Sequence, residues 1–235
     1  MTRDVSICLL SDRPGGEVSS SLNLLYPGRV TDLSILEADH GIEALRPYSH
    51  VVTMVGRRAN IDRLNYAAVR QFAEEGGTVA SCLFEYAHSR GLPMVKTVLP
   101  PGDTSHPGIR ICAQSDITRG FAPGDVTPWF GKVAGGIYNH LHANQYYQRQ
   151  IMGLEGAGST TILGVSTINA GAMLIEERVG EGRIMAHDLL SPSPPYFDSW
   201  GSTNKYLFLG NLIGGSVRYG KHYPRKLPYD ELMVQ

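Results

Sequence analysis

LNYAAVRQFAEEGGTVASCLFEYAHSRGL, residues 64–92, reads as helix, glycine turn, short buried strand, tight turn and second helix. Leu64, Ala68 and Phe72 fall four apart, with Val69 and Ala73 beside them, so an apolar stripe runs along one side of a helix. Glu74 and Glu75 end that helix, and Gly76-Gly77 can supply a left-handed cap that reverses the chain. Thr78 to Cys82 is short, uncharged and β-branched at its start, as suits an inner strand of a parallel sheet. Helical composition returns from Leu83 to His88, and Gly91-Leu92-Pro93 stops it. Cys82 therefore stands where strand hands over to helix, the end of a strand at which open α/β sheets bind ligands.

The chain before this stretch supplies more of the same pattern. Val5 to Leu10, Leu33 to Ala38 and His50 to Val55 are short apolar runs, expected as three strands with helices near Leu22–Leu25 and Ile42–Leu45. Strands alternating with helices predict a doubly wound, mostly parallel sheet of flavodoxin type with helices on both faces. Arg13-Pro14-Gly15-Gly16 follows the first strand. It matches neither the dinucleotide nor the P-loop fingerprint, so a plain turn is favoured over an anion cradle. Arg57 and Arg58 follow the third strand, where they could hold a carboxylate or form a solvated helix start.

After Pro93 the pattern loosens. Val95 to Leu99 could be strand, residues 100–108 are loop, and GGIYNHLHANQYYQR (135–149) is the polar-aromatic patch of the chain. Ile162–Val165, Ala172–Glu177 and Arg183–His187 are expected as closing strands, the last two an antiparallel hairpin turned at residues 179–182. Lys205 to Ile213 is expected as a final helix capped by Thr203-Asn204. One domain is expected over residues 1–218, with 219–235 a tail packed on the surface or on another copy of the chain.

At 235 residues and 42% hydrophobic content the chain can bury a full core. A formal charge of −1 offers no electrostatic case for nucleic acid or anionic membrane, and no apolar run approaches the roughly 18 residues of a membrane span. Three cysteines, Cys8, Cys82 and Cys112, lack metal-type spacing and read as reduced thiols, with a cytoplasmic location expected.

The order of elements, RQFAEEGGTVASC and GEGRIMAHD together resemble the class I glutamine amidotransferase-like superfamily. That resemblance implies a nucleophile elbow at Cys82, a catalytic histidine at His187 and Asp188 as the nearest acid. The pattern differs in two places. Phe84 stands where the elbow calls for a small residue, and the family's acid position falls on Leu189. The GG-strand-turn-helix run, the GxGR strand and GSTNKYLFLGNLI are similar to ThuA-like proteins and to the trimerisation domain of family 42 beta-galactosidases. Those relatives are linked to carbohydrate metabolism and lack the amidotransferase triad. The ThuA-like branch is the nearer likeness.

Two chemistries stay open at the strand end. Cys82 could be a thiolate nucleophile lowered by the helix dipole, with His187 its base and the N–H groups of Gly56 and Leu83 an oxyanion site. It could instead be a small core residue. Glu85 could act as acid or base in the same crevice, or lie on an exposed helix face. Asp12 and Arg57 are expected near that crevice as substrate-binding groups. Tyr138, His140 and His142 could line a polar pocket suited to sugar hydroxyls, while His140 and His142 as metal ligands lack a third partner. No cofactor is expected. The expected partners are a small polar molecule, sugar-derived chemistry included, and further copies of the chain. The function classes are thus a hydrolase-like enzyme, a non-catalytic binding or assembly module, and a metal-dependent hydrolase using His140 and His142.

Overall fold

The computed structural model describes residues 5–98, 108–128, 131–132, 146–156, 158–187, 211 and 213. The chain divides into two compact units, the first formed by residues 1–91, 156–161 and 175–192, the second by 92–155, 162–174 and 193–235.

In the first unit the strands are β1 (Ile7–Ser11), β2 (Val30–Ser34), β3 (His50–Met54), β4 (Thr78–Cys82) and β12 (Gly182–His187). They lie in the order β2-β1-β3-β4-β12, and the pairs β1–β2, β1–β3, β3–β4 and β4–β12 are all parallel. The helices are α1 (Glu17–Leu25), α2 (Ile42–Leu45), α3 (Tyr66–Glu74) and α4 (Leu83–Ser89). The step from β1 to β2 runs one way across the sheet and the step from β3 to β4 the other. Right-handed crossovers then place α1 on one face and α3 on the opposite one. This is the mostly parallel flavodoxin-type sheet that the alternation of elements predicts.

β4 occupies Thr78–Cys82 as the sequence suggests, with its last four residues buried. β2 instead starts at Val30, three residues before the expected Leu33, and ends at Ser34. As the first strand in the order it has a neighbour on one side only, so Thr31 and Asp32 are tolerated within it and the apolar signal is weak. Ile35–Ala38, expected as strand, forms a loop instead.

The GEGR hairpin turn docks on the end of α3. Glu181 N–H donates to Glu74 O at 3.1 Å and Arg183 N–H to Gly77 O at 3.2 Å. A Cβ at Gly182 would lie 2.2 Å from Gly77 O and 2.3 Å from Ala73 O, so only glycine permits the approach. Gly76 carries the left-handed backbone, φ +99°, that ends α3. Gly77 leaves room for the Phe72 ring, which a Cβ would meet at 2.2 Å. The two glycine-bearing motifs that carry the family resemblance are thus one contact.

The second unit is antiparallel. β5 (Met94–Val98) and β8 (Gly131–Lys132) pair with β9 (Tyr146–Ile151), and β6 (Gly108–Ile111) pairs with β7 (Val126–Pro128) and with β10 (Thr160–Ser166). β11 (Ala172–Val179) meets β9 at Ala172–Ile151 and leads into β12 through the hairpin. β9 begins inside the polar-aromatic patch, where the sequence gives no strand signal, and runs two residues past it. Its buried Gln148 and Gln150 are satisfied within the unit: Gln148 accepts from Ser166 Oγ at 2.6 Å and donates to Gly108 O at 2.9 Å, and Gln150 accepts from Thr97 Oγ1 at 3.1 Å. Asn211 of the expected final helix donates to Ile117 O and Arg119 O. The rest of that helix and the 219–235 tail lie outside the described residues. No helix among the described residues is long and apolar enough to cross a membrane.

Candidate functional site at the carboxyl ends of the parallel strands

Parallel register sets out the carboxyl ends of the strands. Ser11 aligns with Met54, Thr53 with Ser81, and Cys82 with His187. Register partners in a parallel pair point to the same face, so Cys82 and His187 lie on one side of the sheet in adjacent strands. The surroundings are not those of a reactive pair. Cys82 is 4% exposed and His187 0%. The Cys82 sulfur rests 3.2 Å from Met54 Sδ. Burial pushes the His187 imidazole down to about 3, so it is neutral at pH 7 and a poor proton acceptor.

The backbone at Cys82 is equally ordinary. Its φ of −61° and ψ of 144° are extended, whereas a nucleophile elbow is a strained turn that throws its side chain clear. Without that strain Phe84 can stand where the elbow calls for a small residue. Among the described residues Ala170 alone is a non-glycine with positive φ.

Cys82 is the N-cap of α4, and Glu85 reaches back to it as in a capping box, accepting from Cys82 N–H at 3.2 Å. Glu85 does not lie on an exposed helix face: it is 1% exposed. Its carboxylate also accepts from Ser81 Oγ at 3.3 Å, from Thr53 Oγ1 and from Val55 N–H. Tyr66 Oη extends the network to Ser81 Oγ at 3.3 Å. Burial nevertheless pushes the Glu85 carboxyl up to about 7, against the pull of those donors, and raises the Tyr66 phenol too. The network ties β3, β4, α3 and α4 together through one acid.

Asp12 and Gly56 are brought together but spent on each other. Asp12, 7% exposed, accepts from Gly56 N–H at 2.7 Å, Arg57 N–H at 2.9 Å and Asn60 Nδ2 at 2.8 Å. The Gly56 N–H expected as an oxyanion donor is therefore occupied by a carboxylate of the chain itself. Leu83, the other expected donor, is wholly buried at the first turn of α4. The Arg57 side chain is exposed. Gly15 N–H in the glycine turn donates to Asp32 Oδ2 at 2.6 Å, so an internal carboxylate sits where an anion could have bound.

Asp188, Tyr138, His140, His142, Trp129 and Trp200 lie outside the described residues. Among the described residues no three His, Cys, Asp or Glu side chains come together as metal ligands. Sequence reading misses Thr53, Ser81 and Tyr66 as partners of Glu85. The signal available is Thr53, the one hydroxyl inside the apolar run HVVTMV, since a buried hydroxyl implies a buried partner.

No protein-family model matches the chain, and no curated protein matches it. Solved structures do. A protein provisionally named as a GMP synthase subunit from Thermoplasma acidophilum superposes with a TM-score of 0.56 at 12% identity over 90% of this chain and 94% of its own. A cytoplasmic protein from Salmonella typhimurium LT2 gives 0.55 at 12% identity over 89% and 98%. A provisionally named ThuA-like protein from Bacteroides uniformis gives 0.53 at 12% identity over 94% and 96%. At such identities the likeness is one of fold alone, the α/β arrangement of a mostly parallel sheet with helices and added antiparallel strands.

Proposed function

We propose that this chain works by binding a small polar molecule, as a non-catalytic module of the amidotransferase-like fold, rather than by attacking a substrate with Cys82. The observation that carries this reading is the state of the nucleophile position: an unstrained helix cap, 4% exposed, with its sulfur against Met54. A thiol in that setting packs as a small hydrophobe and reacts slowly. The neutral, buried His187 on the adjacent strand and the Gly56 N–H held by Asp12 support the same reading, because the base is shut away from solvent and the oxyanion donor is already hydrogen-bonded.

Thiol alkylation with peptide mapping tests it, and the chain carries its own reference. Cys112 is exposed, while Cys8 and Cys82 are buried. In the folded protein at neutral pH iodoacetamide is expected to modify Cys112 first and to leave Cys82 and Cys8 intact until denaturant is added. Modification of folded Cys82 as fast as Cys112, or faster, would overturn the reading and restore the nucleophile.

A further inference from the structure

A cavity of about 530 Å³ lies outside the carboxyl ends of β2 and β3, apart from the Cys82 row. Its size falls within the range of roughly 300–1,000 Å³ usual for small-molecule sites. One wall is the loop after β2, Ile35 to Asp39; the other is the end of the 3-10 turn Arg58–Arg63 and the start of α3, with Asp62, Arg63 and Asn65. The reversal of chain direction that favours a ligand in a doubly wound sheet falls between β1 and β3, and β2 is next to β1 in the strand order. Asp12 closes the gap directly over those two strands, and the open space is the part bordering β2.

The walls are held before any ligand arrives. Ile35 N–H donates to Ser11 O at 2.9 Å, and His40 Nε2 lies 2.9 Å from Ser34 O, which fixes the loop. Asn65 joins the two walls: its Nδ2 donates to Asp39 Oδ1 at 2.9 Å while its Oδ1 accepts from Ala68 N–H at 3.0 Å, capping α3.

The lining selects a chemical class. Glu37, Asp39 and Asp62 are acceptors only when ionised, so a ligand must bring donors. Arg63 makes no ion pair or side-chain hydrogen bond among the described residues and faces the same space, ready for one anionic group. Asp62 shares one oxygen with His88 Nε2 at 3.2 Å, and among the described residues its other oxygen is not so engaged. Three carboxylates against the one guanidinium of the lining still leave a surplus of negative charge, which a neutral polyol would not balance and a simple anion would meet as repulsion. Leu36, 49% exposed on the cavity wall, offers an apolar surface for an aliphatic stem. We infer that this cavity binds a small zwitterion with an added cationic group on an aliphatic chain, the chemistry of a basic amino acid. The inference rests on the binding reading above and says where the ligand goes.

Calorimetric titration of the full chain with L-lysine and L-arginine, with galactose and glucuronate as comparison probes, tests it. Binding of one basic amino acid is expected, weakened about tenfold or more by Asp62→Asn and by Arg63→Gln. Both residues are exposed, so the variants should unfold at the wild-type temperature, which scanning calorimetry checks. No heat from either amino acid at about 10 mM, binding unchanged by both substitutions, or equal affinity for glucuronate would each overturn the assignment. The two readings fail separately: a reactive Cys82 with lysine bound removes only the non-catalytic proposal, and an inert Cys82 with nothing bound removes only this site.

Discussion

Replacing Glu85 by glutamine should change how stability depends on pH, by an amount the structure sets. The carboxyl is pushed from an ordinary 4.5 up to about 7 by burial. Below pH 4.5 it is protonated in folded and unfolded chains alike, and its full contribution to stability is present. As pH rises from 4.5 to 7 the unfolded chain releases the proton while the folded chain keeps it, so stability falls. Above 7 both are ionised and the loss levels off. A shift of that size corresponds to about 3 kcal/mol. Glutamine does not titrate. Its amide nitrogen would face the Cys82 N–H, a clash of donors costing about 1–3 kcal/mol, but that offset is the same at every pH. Urea unfolding of both proteins from pH 4.5 to about 8 isolates the effect, since the buried histidines titrate in both and cancel in the difference. The stability of wild type relative to Glu85→Gln should fall by about 3 kcal/mol across that range. A difference that stays flat, or that moves in favour of wild type as pH rises, would refute the reasoning. It would mean that the four donors outweigh burial and hold the carboxylate ionised.

Gly182→Ala is expected to destabilise the fold by about 3 kcal/mol or more, because its Cβ would stand 2.2 Å from Gly77 O; Gly41→Ala, with nothing within 4 Å, is the control and should stay within about 0.5 kcal/mol of wild type. A near-neutral Gly182→Ala would mean that the hairpin does not press on the end of α3. His187→Asn tests acid sensitivity: burial lowers the imidazole from 6.5 to about 3, so stability present above 6.5 is lost as pH falls towards 3, by roughly 4–5 kcal/mol. The variant should resist acid better than wild type relative to its own stability at neutral pH, and an unchanged acid midpoint by circular dichroism would count against a buried neutral His187.

The elements legible in the sequence are those whose burial leaves a one-sided or continuous apolar signal. β4 and α3 are of this kind, with Val79 and Val69 wholly buried. β2 reads too late in the sequence because an edge strand admits Thr31 and Asp32. β9 escapes notice because two of its three buried described positions are glutamines, Gln148 and Gln150 beside Ile151, satisfied by partners that are distant in sequence. At the site, residue identity and order bring Cys82 beside His187 as expected. Whether a thiol is strained outward or packed inward depends on two backbone angles and on Met54, and neither is written in a motif. Glu85 shows the same limit: a glutamate early in a helix looks solvated until a hydroxyl from each of two strands turns out to point at it.

The contact between the GEGR turn and the end of α3 sits at the amino-terminal edge of the parallel strands, yet it governs what stands side by side at the opposite edge. Arg183 N–H on Gly77 O fixes the first rung of β12 against β4, where Arg183 aligns with Thr78, and the same register carried to the end of the strands aligns His187 with Cys82. Side chains at the strand tips could therefore be exchanged while the glycine contact that sets their register goes untouched. Exposing the Cys82 sulfur in the laboratory calls for changes at positions such as Met54, which packs against it, with the glycines left alone.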